Sequence, residues 1–328
     1  MSPSPKKEGL VRKRISNWGF FIFSTAFICY FILYPESLKS LENIRPLDIL
    51  YLIILHFILL AINTIRFRLI LHKCADCYIP LKPWTTLFVQ GRFLNIFVPQ
   101  LGNIYRSVAL NQKYNVPYTR YVTTLISMAW ISTALNLILA FLLIIILNPE
   151  LMIGGYNASL LVIILLLAIL VGPFAARKTF STFFGSSTKR FVKKIDEALV
   201  VTTSSIQDTS WLWKVLFLST LVFFFASLTV YLCFGMLGAT PKAGEAALFY
   251  SILQLSTIIR LTPGNVGPQE LAFGLLGSQS SVGMSIGILS STLFRIGGII
   301  VLTISAFILG IVNTLRQGIT PEDDDNQS

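Results

Sequence analysis

The apolar residues of this chain are gathered into six long runs that short polar segments separate. A helix that crosses a bilayer needs about 20 predominantly apolar residues, and each run approaches or exceeds that length. The runs lie at 18–34, 49–71, 120–147, 156–174, 212–238 and 284–313. They predict an all-α polytopic integral membrane protein with about six spanning helices.

Two further apolar regions, 83–110 and 245–282, are interrupted by residues that break helices. The first region breaks at 99–103, and the second breaks at 262–268, where two prolines and two glycines occur. Each break leaves two apolar pieces that are too short to span a bilayer alone. The pattern predicts two re-entrant helical hairpins, whose irregular turns are tolerated where protein or a polar cavity surrounds them. Two tilted, kinked spanning helices are the alternative for each region.

Lysines and arginines beside the runs predict the orientation, because basic loops usually stay in the cytoplasm. The N-terminal segment and the loop 175–211 are basic, the loop 148–155 has no lysine or arginine, and Arg66 and Arg68 add basic charge near the end of the second run. With six spans, both termini lie on the cytoplasmic side of an inner membrane. The two interrupted regions then enter from opposite sides, which suggests an inverted repeat, a plan common in transporters.

The composition supports a membrane domain that occupies nearly the whole chain. Hydrophobic residues make up 54% of the sequence and charged residues only 12%, with a mean hydropathy of +0.72, whereas soluble domains carry about 25% charged residues. We divide the chain into a basic cytoplasmic N-terminus (1–17), a membrane domain (18–315) and an acidic cytoplasmic tail (316–328). The run at 18–34 is too long for the apolar part of a signal peptide, so we expect a retained helix.

Charge and cysteine content exclude several classes of function. The net charge of +11 does not indicate a nucleic-acid partner, because the basic residues flank apolar runs as they do in membrane proteins. Cys74 and Cys77 form one CxxC pair, but a structural zinc site normally needs four ligands and the sequence has no second pair.

The sequence also has no nucleophile elbow, phosphate-binding loop or dinucleotide motif. We expect no metal, no cofactor and no enzymatic activity.

The second break has charged side chains and unpaired backbone groups, which are costly inside a membrane. Gly267 can cap a new helix, with Pro268 at its first position and Glu270 at its third. A helix that starts inside the membrane presents unpaired N–H groups and the positive end of its dipole, which favour phosphate or carboxylate. Arg260 and Arg295 can add bidentate contacts to a phosphate.

Several roles are open to Glu270. Its carboxylate can cap its own helix, pair with Arg295 or Arg260, or take part in proton coupling. Pro263 and Gly264 favour the turn that precedes this helix.

The first break has a similar set of residues. Its polar residues are Arg92, Asn95, Asn103 and Arg106, and its helix breakers are Pro99 and Gly102. The two arginines either snorkel to the cytoplasmic interface or form a second anion site that faces the first. Across both breaks the arginines outnumber the single glutamate, so a negatively charged substrate is favoured.

Together, these motifs resemble those of the flippase-like family of lysylphosphatidylglycerol synthase transmembrane domains. The resemblance rests on Asn95-x3-Pro99-x2-Gly102-x3-Arg106, on Pro263-Gly264-x2-Gly267-x2-Glu270 and on Phe294-Arg295, and it covers roughly residues 15–315. It implies an all-helical membrane domain that flips, or helps to flip, an anionic or aminoacylated lipid between leaflets. The family usually has an acid where this chain has Asn103, so the resemblance does not extend to a charge-paired role there.

The expected function is therefore that of a lipid flippase-like transporter. Its substrate would be an anionic or aminoacylated phospholipid or a polyprenyl-phosphate-linked lipid, with Arg260, Arg295 and Arg106 at the phosphate. The alternatives are a non-transporting membrane accessory of surface-glycan assembly and a small-solute transporter. The expected partners are membrane lipids with an anionic headgroup and enzymes of glycan or lipid assembly.

Overall fold

Long helices dominate the fold, because backbone N–H and C=O groups in hydrocarbon must be hydrogen-bonded within the protein. The computed structural model describes residues 35–183, 208–258, 262 and 265–317. In chain order the helices are α1 (Pro46–Ala75), α2 (Leu81–Phe97), α3 (Leu101–Tyr114), α4 (Tyr118–Leu147), α5 (Ala158–Phe183), α6 (Thr209–Met236), α7 (Ala243–Ile258), α8 (Pro268–Ser278) and α9 (Met284–Gln317), and a 3-10 helix at Pro35–Asn43 precedes them. Two short antiparallel strands, β1 (Met152–Ile153) and β2 (Tyr156–Asn157), lie between α4 and α5.

Within the described ranges, four helices are long and apolar enough to cross a membrane. They are α1, α4, α6 and the part of α9 at Met284–Gly310, and a shorter apolar helix is found at Ala158–Val171 in α5. These helices coincide with the predicted runs from 49–71 onward, so the prediction of an all-α membrane protein is confirmed. The predicted run at 18–34 lies outside the described residues.

Both interrupted regions fold as pairs of short helices. The turn at 98–100 joins α2 to α3, and these helices pack antiparallel, with the Tyr105 hydroxyl donating to Gln90 Oε1 at 2.7 Å. α7 and α8 also fold back on each other, with the ring centroids of Phe249 and Phe273 5.1 Å apart. The longest of the four short helices, α2, has 17 residues. It is about 25 Å long, which is less than the roughly 30 Å hydrocarbon thickness of a bilayer.

Contacts between the connecting segments place the two hairpins at opposite ends of the bundle. At one end, Lys73 near the end of α1 pairs with Asp208 before α6, at 2.8 Å between Nζ and Oδ2. At the other end, the Gly244 N–H at the start of α7 donates to Asn148 Oδ1 after α4, at 2.9 Å. The α2–α3 hairpin follows the end of α1. A hydrogen bond also places the start of α4 beside the end of α1, so the end of α4, where the α7–α8 hairpin begins, lies at the opposite end of the bundle. The predicted opposite orientation of the two hairpins is therefore confirmed.

The same order of elements, a long helix, a hairpin and a second long helix, occurs twice, and the second set runs in the opposite direction through the bundle. α1, the α2–α3 hairpin and α4 are followed later by α6, the α7–α8 hairpin and α9. α1 and α6 run antiparallel, because the Lys73–Asp208 pair joins the end of one to the start of the other. The architecture therefore has the form of the inverted repeat that the sequence suggested.

Asp208 fixes the start of α6. Its Oδ1 accepts the Trp211 N–H at 3.1 Å, which caps the helix. The hydrogen bond from Lys73 and this N–H lower the pKa of Asp208, because both favour the charged carboxylate. The ionised side chain can therefore serve as the N-cap at neutral pH.

Glycines allow α8 and α9 to pack at backbone contact. A Cβ atom added at Gly287 would lie 2.4 Å from the carbonyl oxygen of Phe273, and one added at Gly277 would lie 2.4 Å from the carbonyl oxygen of Gly283. Neither position has space for a side chain, so glycine is needed at both. This packing holds α8 against α9 and thereby fixes how the second break meets Arg295.

Candidate functional site

Within its described residues, the second break contacts the end of α7 and leads directly into α8. Asn265 and Gly267 have positive φ angles of 59° and 96°, a conformation that glycine adopts without strain. Asn265 Nδ2 donates to the carbonyl of Ser256 at 3.1 Å, and Thr262 Oγ1 donates to the carbonyl of Val266 at 2.6 Å. These bonds satisfy backbone groups that regular helix cannot satisfy here.

The two carboxylate oxygens of Glu270 contact different residues, one through a hydrogen bond and the other through an ion pair. Oε2 accepts the Gly267 N–H at 2.8 Å, which caps α8, and Pro268 occupies the first helical position. Oε1 lies 2.6 Å from Nη2 of Arg295 in α9. Two of the roles open to Glu270, the cap and the partner of Arg295, therefore occur together.

Arg295 is anchored to the second break by two contacts. Besides the pair with Glu270, its Nη2 donates to the carbonyl of Asn265 at 3.0 Å. The side chains of Arg295 and Glu270 are only 12% and 5% exposed. An unpaired arginine at the centre of a membrane helix costs about 3 kcal/mol or more, and the ion pair cancels this charge. The Nε of Arg295 has no hydrogen-bond partner among the described residues, so one donor remains for a ligand.

The first break is closed by side chains from both of its helices. Asn95 Oδ1 in α2 accepts the Gly102 N–H in α3 at 2.7 Å, and Asn103 Nδ2 donates to Gln100 Oε1 at 2.5 Å. A Cβ atom added at Gly102 would lie 1.6 Å from the carbonyl oxygen of Gly91. The hairpin therefore depends on glycine at this crossing and on the Asn95 side chain.

Arg106 is buried inside the first hairpin, with 4% of its surface exposed. Its guanidinium donates to the carbonyl of Gly102 at 3.2 Å and to Asn103 Oδ1 at 2.5 Å. Its Cζ lies 5.4 Å from the ring centroids of both Phe67 and Phe88, within the range of cation–π attraction. These contacts show that Arg106 is enclosed by protein and does not extend to the interface as a snorkelling side chain does.

Arg92 is only partly buried and connects the first hairpin with two other helices. Its Cζ lies 5.7 Å from the ring centroid of Phe88. It is also within electrostatic range of His56 in α1 and Tyr250 in α7. The charge of Arg92 therefore acts on helices from both halves of the bundle.

The predicted site residues form two groups, one at each break. The first consists of Asn95, Pro99, Gly102, Asn103 and Arg106, with Arg92 nearby, and the second consists of Gly267, Pro268, Glu270 and Arg295. No hydrogen bond or ion pair between described residues joins Arg106 to Glu270 or Arg295. Arg260, Pro263 and Gly264 lie outside the described residues. Contact of any of these residues with a headgroup stays a prediction.

The comparison with known proteins identifies the family. Residues 18–306 match the family described as the lysylphosphatidylglycerol synthase TM region. The chain belongs to this family. The match includes both breaks, and it supports a membrane lipid-related function for the protein. No curated protein and no solved structure matches the chain.

In this member of the lysylphosphatidylglycerol synthase TM family, the sequence did not predict that the side chain of Arg66 is buried between helices. The expectation was a basic residue near the cytoplasmic end of α1, but Arg66 is only 3% exposed. Its Nη2 donates to Asn63 Oδ1 at 2.8 Å and its Nη1 donates to Ser219 Oγ at 3.4 Å. Asn63, one helical turn earlier, is the only local signal, because Ser219 is distant in sequence.

The CxxC pair of this family member is not arranged as a metal site in the structure. Cys74 is buried and Cys77 partly buried, and burial raises the pKa of the Cys77 thiol, which disfavours the thiolate. In the part of the chain that the structure describes, no three His, Cys, Asp or Glu side chains are close enough together to hold a metal ion.

Proposed function

We propose that this protein is a flippase-like transporter, not an enzyme, and that it moves a lipid with an anionic headgroup between the leaflets of the inner membrane. The candidate substrates are anionic or aminoacylated phospholipids and polyprenyl-phosphate-linked lipids. Family membership supports a lipid-related function. The two hairpins of opposite orientation support transport, because inverted repeats with discontinuous helices commonly form substrate sites that alternate between the two sides of a membrane.

The Glu270–Arg295 pair at the start of α8 is the observation that carries the proposal. Charged residues are retained inside membrane helices mainly where they serve a substrate pathway or a pair, and this pair leaves Arg295 Nε without a partner among the described residues. The start of α8 adds the positive end of a helix dipole. We propose that the headgroup phosphate binds here to Arg295 and Arg260, and that Glu270 holds Arg295 in position.

The first hairpin would provide the contact from the other side. In this proposal Arg106 and Arg92 attract the phosphate, and Asn95 and Asn103 orient the hairpin around it. The acyl or prenyl tails stay in the surrounding lipid, as expected for a bundle whose outer faces are apolar. Large apolar side chains on those faces include Phe217, Phe224 and Phe307, which are 63%, 58% and 69% exposed.

Reconstituted flipping of labelled lipid tests the proposal. We expect Arg295→Ala and Arg260→Ala each to slow flipping by about tenfold or more, because a hydrogen bond to a charged group contributes about 1.5–3 kcal/mol. Lys214→Ala is the matched control, because Lys214 is an exposed cation on α6, and its flipping rate should equal that of the unmodified protein.

Two results would contradict the proposal in different ways. If both arginine variants fold and flip lipid at the rate of the unmodified protein, the site assignment is wrong. If the unmodified protein flips none of the candidate lipids but copurifies with a glycosyltransferase, the accessory function replaces the transport function.

A further inference from the structure

Arg66 is a buried cation in the interior of α1. It is 3% exposed, and Ser219, which it contacts in α6, is fully buried. It lies nine residues before Ala75, where α1 ends, so it is about 13 Å from that end along the helix axis. The side chain is therefore held inside the bundle, where a charge interacts poorly with water.

The charge of Arg66 is not cancelled by any described carboxylate. Its guanidinium donates only to neutral groups, Asn63 Oδ1 at 2.8 Å and Ser219 Oγ at 3.4 Å, and its Nε has no partner among the described residues. Arg295, by contrast, lies 2.6 Å from Glu270. A buried guanidinium with neutral partners and an unused donor is an arrangement that an anion would complete.

Polar groups from other helices surround Arg66. Tyr250 in α7 is buried within electrostatic range of Arg66. The buried Asn136 side chain in α4 lies near the Tyr250 hydroxyl, and neither its amide nitrogen nor its amide oxygen has a hydrogen-bond partner among the described residues. Arg92 of the first hairpin is also within electrostatic range of Tyr250. Hydroxyl and amide groups and the Arg66 cation therefore lie in the same region, where they can all donate hydrogen bonds to an anion.

We infer that Arg66, Asn63, Ser219, Tyr250 and Asn136 form a binding site for a phosphate-type oxyanion between α1, α4, α6 and α7. The guanidinium offers two parallel N–H donors that match phosphate oxygens, and the hydroxyl and amide groups can donate to the remaining oxygens. This site is separate from the Glu270–Arg295 pair. The inference rests on the proposed function only where the oxyanion belongs to a lipid headgroup, since inorganic phosphate has the same chemistry.

Thermal unfolding of the delipidated full-length protein in detergent tests this site. The probes are inorganic phosphate, dihexanoylphosphatidylglycerol and, as a phosphate-free control, dihexanoylglycerol. We expect the short phosphatidylglycerol to raise the Tm of the unmodified protein by several degrees, because a ligand that binds only the folded state stabilises it, and we expect dihexanoylglycerol not to. A similar rise with inorganic phosphate would show that water-soluble phosphate reaches the site, and its absence would assign the site to a lipid headgroup.

The Arg66→Gln variant should lose this rise in Tm, whereas Arg68→Gln should keep it. Arg68 is the matched control because it lies on the same helix but donates to the carbonyl of Ile79, at 2.6 Å. Without ligand, we expect Arg66→Gln to unfold at or above the Tm of the unmodified protein, since it removes an uncompensated charge. A purely structural arginine gives the opposite result, with a lower Tm in every buffer.

Two further variants keep the test decisive if Arg66→Gln does not fold. Ser219→Ala and Tyr250→Phe retain the cation and remove one hydroxyl each, and each should weaken phosphatidylglycerol binding by about tenfold or more, the usual effect of one hydrogen bond to a charged group. Equal Tm shifts in the unmodified protein and in all of the site variants would overturn the inference, as would the lack of any shift with either phosphate compound.

The flipping assay separates this inference from the proposed function. Normal flipping by the unmodified protein, together with unchanged phosphate binding by the site variants, would reject the Arg66 site and retain the function. Loss of binding in the site variants, together with no flipping by the unmodified protein, would retain the site and reject the function.

Discussion

The Glu270 side chain combines two tasks that are usually divided between residues. One oxygen caps α8 at Gly267 and the other pairs with Arg295. Because the cap fixes the carboxylate, it also fixes the guanidinium, whose second contact is the Asn265 carbonyl. The position of Arg295 is therefore determined by the residues of the second break that it contacts, as the proposed contact with a headgroup requires.

Removing the charge of Glu270 should destabilise the protein. In Glu270→Gln the amide oxygen can still cap α8, but Arg295 loses its counter-charge, and removing one partner of a buried pair costs about 3–5 kcal/mol. Denaturant unfolding in detergent measures the change. The double variant Glu270→Gln, Arg295→Met should recover part of the loss, because no uncompensated charge remains. Strictly additive effects of the two substitutions would show that the pair is not energetically coupled.

The two hairpins depend on close helix contact as well as on their turns. In the first, α2 and α3 cross at Gly91 and Gly102, where the two backbones nearly touch. The crossing lets Asn95 reach the Gly102 N–H and encloses Arg106 between the helices. At this scale, glycine has a geometric role: it sets the distance between helices and thereby the burial of the arginine.

Gly102→Ala should disrupt the first hairpin. The added Cβ would lie 1.6 Å from the backbone carbonyl oxygen of Gly91, so α2 and α3 must separate, at a cost of about 3 kcal/mol or more. Gly235→Ala is the matched control, because it lies in α6 and its added Cβ meets nothing within 4 Å; helix propensity favours that change by about 1 kcal/mol. Tm values in detergent give the comparison, and similar values for the two variants would contradict the crossing.

Eight of the nine described α-helices form two similar sets of opposite direction, α1–α4 and α6–α9, and α5 connects the sets along the chain. Each set has a long helix, a broken hairpin and a second long helix. Because the hairpins start at opposite ends of the bundle, each brings polar residues inward from a different side. In the proposed function, a headgroup would pass from one break to the other, although no hydrogen bond between described residues joins the two breaks.

Cysteine labelling of intact cells should show this topology. In a background without the four native cysteines, Tyr78→Cys should react with a membrane-impermeant reagent only from the cytoplasm and Tyr156→Cys only from outside. Both positions are exposed, at 74% and 65%. Val98→Cys, at the tip of the first hairpin, should resist labelling from outside, because α2 is shorter than the hydrocarbon core. Efficient external labelling of Val98→Cys would show that α2 and α3 span the membrane fully.

Sequence by itself determined the features that depend on local chemistry. Apolar length predicted the long helices, and Pro99 and the Gly267–Pro268 pair marked the two breaks, because a residue's backbone preferences are set by its own side chain. Gly102, which the sequence predicted as a helix breaker, instead lies inside α3, where it allows close packing against Gly91. The spacing of Gly267, Pro268 and Glu270 predicted a capped helix start for the same reason.

Only the tertiary structure decided which charges are buried and with what partners. Arg66 and Arg68 are alike in sequence, yet Arg66 reaches Ser219, 153 residues away, whereas Arg68 donates to the nearby Ile79 carbonyl. The enclosure of Arg106 between Phe67 and Phe88 likewise depends on how α1 meets the first hairpin. An arginine near a helix end can either snorkel to the interface or be buried. Which of the two occurs depends on the helices that pack against it, and the local sequence does not specify that packing.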